Sequence, residues 1–256
     1  GLDLELHHAR GETDDATWVW IPERGAVCAG DMVIWCAPNA GNPQKVQRYA
    51  RDWAVALRAM AALGPELLLP GHGLPIAGAD RVRTVLTETA TVLEILHDGT
   101  LALMNEGARL DDIVREVRVP DDLLERPYLR PIYDDPEFVV RNVWRLYGGW
   151  YDGNPARLKP APDAVLAAEV ARLAGGPAVL ADRAAALAAT GVDDDLRLAG
   201  HLAEMAVQAD PDDPGLHRRR AEVFAARAAA ERSLMATGVF RWAAEESSAA
   251  AGDSPG

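Results

Sequence analysis

Leu2, Leu4 and Leu6 alternate with Asp3, Glu5 and His7, the twofold period of a strand with one buried face. Residues 17–21, Thr-Trp-Val-Trp-Ile, are β-branched and aromatic and predict a second strand. Pro22-Glu23-Arg24-Gly25 turns the chain into a third strand over residues 26–29. The loop Pro38-Asn39-Ala40-Gly41-Asn42-Pro43 then opens a helix, in which Val46, Tyr49, Trp53, Leu57 and Met60 recur at spacings of three and four before Gly64-Pro65 stops it. Residues 66–69 form a short strand that runs into Pro70-Gly71-His72-Gly73. Beyond Asp80 the period becomes helical throughout. Val82, Val85, Leu86, Leu93 and Leu96 share one long helical face, and shorter helices follow near residues 110–117 and 121–126. Asp135-Pro136 caps a helix that ends at Gly148-Gly149. From Gly153-Asn154-Pro155 to about residue 245 the chain is alanine-rich and helical, punctuated at Gly175-Gly176-Pro177, Gly191 and residues 210–215. The pattern predicts an α/β part over residues 1–80, an all-α part over 81–245 and a flexible tail over 246–256.

Composition narrows the classes of function. The 256 residues carry 26 basic and 39 acidic side chains, a net charge of −13, which disfavours nucleic acid as a partner because phosphate neutralisation needs clustered cations. A hydrophobic share of 49% with 25% charged residues is that of a globular chain rather than a disordered one. No apolar stretch approaches the roughly 20 residues of a membrane span, and residues 1–8 lack the basic start and apolar run of a secretory signal. Cys28 and Cys36 cannot form a disulfide framework. The expected location is cytoplasmic.

Chemistry concentrates at three loops that each follow an apolar strand: Glu12 in Gly11-Glu12-Thr13-Asp14-Asp15, Asp31 in Ala29-Gly30-Asp31, and His72 in Pro70-Gly71-His72-Gly73. Ligands gather at the carboxyl ends of strands in open α/β sheets. Two carboxylates and an imidazole are a ligand set for a divalent metal such as zinc or manganese. Two turn carboxylates and a loop histidine are the plainer reading of the same residues. Lys45, Arg48 and Arg51, spaced by three, read as a solvated helix face. Cys28 and Cys36 read as small buried hydrophobes. His8, on the face of Leu2, Leu4 and Leu6, reads as a core or ligand-supporting histidine, and His97, His201 and His217 are assigned nothing. Trp144, Trp150 and Tyr151 read as aromatic packing around the Gly148-Gly149 break.

Ala29-Gly30-Asp31 followed by Pro70-Gly71-His72-Gly73 resembles the second half of a metallo-β-lactamase-fold hydrolase. Gly11-Glu12-Thr13-Asp14 resembles the alkylsulfatase branch of that superfamily, in which a glutamate replaces the usual histidine. Tyr147-Gly148-Gly149-Trp150-Tyr151-Asp152-Gly153-Asn154-Pro155-Ala156 is similar to the alkylsulfatase signature that stands where the catalytic domain meets a helical dimerisation domain. The resemblance implies an α/β metallo-β-lactamase-like fold (αββα, C-terminal half only) followed by an all-α helical dimerisation domain, and a homodimer. It implies Glu12, Asp31 and His72 as metal ligands, with Asp31 bridging two divalent ions, expected to be zinc, and a small anionic ester as substrate. Asn39 stands for the family's asparagine in the substrate loop, where no arginine falls at the matching place, and Tyr133, in Arg130-Pro131-Ile132-Tyr133, stands near the substrate. The family's His-x-His-x-Asp-His motif is not in this sequence. The expected activity is therefore alkyl sulfate ester hydrolysis that requires the N-terminal half of the catalytic domain, with this chain inactive by itself. Another ester, lactone or thioester hydrolase on the same fold, and a non-catalytic dimerisation fragment, are the alternatives.

Overall fold

A computed structural model describes residues 1–252. Its β-strands are β1 (Glu5–Ala9), β2 (Ala16–Ile21), β3 (Ala26–Gly30), β4 (Leu67–Pro70) and β5 (Ile76–Ala77), and they form one sheet in that order. Strands β1, β2 and β3 pair antiparallel, β3 and β4 parallel, and β4 and β5 antiparallel. It follows that β1, β3 and β4 run the same way, and the three chemistry-bearing loops leave one edge of the sheet. The turn between β2 and β3 is a single 3₁₀ turn closed by Gly25 at φ +52°, a left-handed conformation that suits glycine.

The parallel β3–β4 pair needs a crossover, supplied by α1 (Ala50–Ala62). The long helix α2 (Ala79–Asn105) packs beside it. Trp53, Leu57 and Met60 from α1 and Val82, Leu86, Leu93 and Leu96 from α2 are fully enclosed in one core with Val27 and Leu68 of the sheet. Arg58 binds Glu94 through two hydrogen bonds, of 2.6 and 3.2 Å, across the same helix pair. Helices α3 (Leu110–Glu116), α4 (Asp121–Leu124) and α5 (Pro136–Gly148) complete the unit, with Asp135 capping α5 through Glu137 N at 2.8 Å. Residues 110–143 add Ile113, Leu129, Val139 and Val143 to the core begun by the sheet. For that reason the first compact unit runs from Gly1 to Asn154.

Three local expectations are corrected. The helix predicted from residue 42 starts at Ala50, because Tyr49 N donates to Gly11 O at 3.0 Å and Gln47 reaches the Asn142 carbonyl, so residues 43–49 are held as an irregular strap. The leucine face of β1 is not buried: Leu6 is 70% exposed, and Leu2 and Leu4 are exposed beside it. It is instead His7, on the other face, that stacks on Trp18 at 3.9 Å. His8, read as a core histidine, is exposed and lies 2.8 Å from the Asp14 carbonyl.

The second unit, Pro155–Gly256, is all helix among the described residues: α6 (Asp163–Ala174), α7 (Pro177–Ala188), α8 (Asp193–Ala209), α9 (Pro214–Ala230) and α10 (Leu234–Ala250). Ahead of it, Asp152 accepts from Asn154 N at 2.9 Å, the turn chemistry expected of that motif. The unit's two small cores are built largely from alanine, with Leu180, Leu187, Leu216 and Val223. The predicted tail begins too early. Residues 246–250 continue α10, because Ser247 is enclosed and its Oγ lies 2.5 Å from Arg220 Nη1; residues 253–256 lie outside the described residues. Among the described residues no single helix is long and apolar enough to cross a membrane, although the bent pair α6–α7 passes that test by length and composition.

Candidate functional site

Asp31 and His72 meet. Both follow parallel neighbouring strands, and Asp31 Oδ1 lies 3.5 Å from His72 Nε2. The approach depends on glycine, since a Cβ at Gly71 would overlap Asp31 Oδ1 and the Gly30 carbonyl carbon. Gly71 N donates to Gly30 O at 2.7 Å, beside a register shift where β3 loses its regular pairing with β4. Trp35 fixes the histidine loop from the other side. Its indole Nε1 donates to Leu74 O at 2.7 Å, its ring fills the space that a Cβ on Gly73 would need, and its own φ of 56° is an uncommon backbone state for a large residue. The Asp31 and His72 side chains are 52% and 73% exposed, so a ligand can reach both.

Glu12 lines a cavity of about 180 Å³ together with Asp31, Thr13, Thr17, Ala29 and Met32. Its carboxylate is already engaged. Oε1 lies 2.6 Å from Arg48 Nη1 and accepts from Asn39 Nδ2 at 2.6 Å. A buried guanidinium needs a counter-charge, and Glu12 supplies it. Among the described residues no group of three or more His, Cys, Asp or Glu side chains is gathered closely enough to hold a metal ion. The structure thus joins Asp31 to His72 and places Glu12, held by Arg48 and Asn39, on the cavity of Asp31, without gathering the three side chains into one closed cluster among the described residues.

Arg48 was missed by sequence reasoning. It is 5% exposed, not part of a solvated face, and Nη1 also donates to Asn39 O at 2.6 Å, while its Nε has no hydrogen-bond partner. Its spacing from Lys45 and Arg51, which are exposed, carries no sign of this. Asn39 is likewise 5% exposed and stands behind Glu12 rather than open to a substrate. Its loop is tied to the segment before α5: Ala37 N donates to Arg130 O at 3.0 Å, and Gly41 N to Asp134 Oδ2 at 2.6 Å. Tyr133 lies in that segment, partly exposed. Burial pushes the Asp134 carboxyl up to about 7 despite the two amide N–H groups that favour its charged form. Burial, and then the nearby Asp134, push the Cys36 thiol up to about 11, which leaves it inert.

Comparison with known proteins places these features. A family profile described as alkyl sulfatase dimerisation matches residues 109–249. A linear primary-alkylsulfatase of Pseudomonas sp. is 29% identical over 221 residues, covering 83% of this chain and 40% of the relative. An (R)-specific secondary-alkylsulfatase of Pseudomonas sp. is 31% identical over 218 residues, 82% of this chain and 32% of the relative. The solved structure of the stereoselective inverting sec-alkylsulfatase Pisa1 from Pseudomonas sp. covers the whole chain with a TM-score of 0.88 at 25% identity, using 40% of its own length. The chain therefore spans two fifths or less of these relatives. The mixed sheet followed by a helical region is the order of parts expected from the motifs, and it is shared with that solved structure over the length covered.

Proposed function

The chain belongs to the alkyl sulfatase dimerisation family, and from that premise we propose that it serves the metal-dependent hydrolysis of alkyl sulfate esters. The observation that carries this reading is the meeting of Asp31 and His72 at 3.5 Å, next to the cavity that Glu12 lines. A carboxylate and an imidazole with open faces suit a divalent cation such as zinc, and these two residues, with Glu12, would hold this chain's share of a two-ion site. When bound, such ions stabilise the charge on a departing sulfate and lower the pKa of a coordinated water. The chain's own residues orient that site: Gly71 admits Asp31, Trp35 holds the His72 loop, and Tyr133 is assigned to the substrate side. Residues 109–249, which the dimerisation profile matches within the expected 81–245 region, are assigned to pairing with a second copy, and residues preceding the first strand in the longer relatives are assigned the remaining ligands.

Sulfate release from dodecyl sulfate by the zinc-supplemented chain, alone and mixed with the N-terminal half of a relative's catalytic domain, tests the reading. We expect release only in the mixture, with Asp31→Asn and His72→Ala each losing at least the roughly 10–100-fold that changes around a metal ligand cost. Turnover of a lactone in place of the sulfate would move the substrate, an outcome favoured by the loop at residues 36–45, which has no arginine. No turnover, with less than one ion bound per chain, would leave the helical association role alone; the lack of a closed three-donor cluster among the described residues favours that second reading.

A further inference from the structure

Glu12 is held from behind by a pair of donors that both choose the same oxygen. Arg48 Nη1 and Asn39 Nδ2 each lie 2.6 Å from Oε1. The holders are themselves fixed. Arg48 Nη1 also donates to the Asn39 carbonyl at 2.6 Å, and Asn142 Nδ2 donates at 2.8 Å to the carbonyls of both Ala40 and Arg48. A guanidinium this deeply enclosed has little freedom, and its planar fork sets direction as well as charge. A solvated arginine on a helix face would do neither.

We propose that Arg48 is a positioning residue for Glu12. With Asn39 it engages Oε1, which leaves Oε2 as the oxygen offered to a divalent cation in the cavity shared with Asp31, and it offsets the charge of Glu12. The inference rests on the reading of Glu12, Asp31 and His72 as cation ligands. A partner that orients a ligating carboxylate typically accounts for about 10–100-fold in metal affinity. A brace that merely stiffened residues 39–48 would act on folding and not specifically through Glu12.

Co²⁺ titration of the chain, read by calorimetry and by the visible absorption of the bound ion, tests this. Arg48→Met is expected to weaken binding by about 10–100-fold and to alter the absorption band. Arg48→Lys should fall between, since an ammonium keeps the charge and loses the fork. In a Glu12→Gln background Arg48→Met should cost nothing further, because two residues acting through one contact are not additive. Should Arg48→Met lose its fold by circular dichroism, Arg48→Lys runs the same cycle. Affinity unchanged or raised in the arginine variants, or an equal loss with and without Glu12, overturns the proposal while the cation reading stands, provided that His72→Ala still weakens binding. A wild-type chain that takes up no Co²⁺, alone or mixed with the N-terminal half of a relative's catalytic domain, overturns both.

Discussion

Trp53, Leu57, Met60, Leu86 and Leu93 are fully enclosed in residues 1–154, whereas the enclosed positions of residues 155–252 are mainly Ala167, Ala184, Ala199, Ala203 and Ala206. Each large side chain is worth roughly 1.5–3 kcal/mol on burial, and a methyl group only about 0.8. The first unit can thus hold a sheet, irregular loops and a strained Trp35 on the strength of its core. The second has less apolar area to spend and leaves Leu166, Leu173 and Trp242 exposed. It also encloses a charge, Arg220, at its centre. The contrast separates a unit stabilised by packing, which carries a site, from a unit stabilised by a polar hub, whose apolar surface suits association.

The strongest way to break this contrast is Trp53→Ala. It empties the largest enclosed side chain in the α1–sheet core and orphans the Met32 carbonyl, to which Trp53 Nε1 donates at 3.0 Å. A loss of about 3–5 kcal/mol is expected. Every tryptophan but Trp242 lies before Pro155, so fluorescence in urea follows the first unit while far-UV circular dichroism also follows the second. A loss below about 1 kcal/mol would mean that packing does not carry this unit.

A smaller effect, confined to the same unit, follows from Asp134. Its native carboxyl is raised from 3.8 to about 7, chiefly by burial. Between those values the native state keeps a proton that the unfolded chain has released, so stability falls as pH rises and the loss is complete above about pH 7. The rise is worth about 4 kcal/mol at most. Asp134→Asn should flatten the pH dependence of the fluorescence midpoint between about pH 5 and about pH 8. An unchanged slope would show that Asp134 titrates like a solvated carboxylate and that the Gly41 loop is held by other contacts.

How much of this was legible depends on the range of the interaction. The β2–β3 turn, the capped start of α5 and the length of α2 are written in neighbouring residues, and the helical period of Val82 to Leu96 survives in the fold. The meeting of Asp31 with His72 was readable because both sit at strand ends and glycine flanks them. The leucine alternation before β1 identified a strand but not what covers it, since an edge strand's face depends on elements elsewhere in the molecule. Arg48 was illegible for a related reason: its burial is fixed by Glu12 and Asn39 in other loops, and its spacing from Lys45 is that of any surface helix. The change from strand to helix period at residue 80 marks secondary structure, and a compact unit follows the shared core instead, to Asn154, while the dimerisation profile begins at residue 109 and spans that point.

Arg220 sharpens the contrast from the other side. Its guanidinium, 7% exposed, reaches Glu204 on α8 at 2.7 Å, and Glu246 and the Ala243 carbonyl on α10 at 3.1 and 3.0 Å, while its plane lies 5.1 Å from the Phe224 ring. One side chain of α9 thereby ties three helices whose apolar contacts are small. Breaking a fully buried pair costs about 3–5 kcal/mol, but Glu204 and Glu246 are 38% and 49% exposed and would recover water. Arg220→Met keeps most of the stem volume and should cost about 1.5–3 kcal/mol, the range for hydrogen bonds to a charged group. The loss should appear in the circular dichroism transition, with the tryptophan transition of the first unit unmoved. If Arg220→Met were neutral, the alanine-rich helices would be held by their small cores alone, and a buried charge at their centre would call for a role in association rather than in folding.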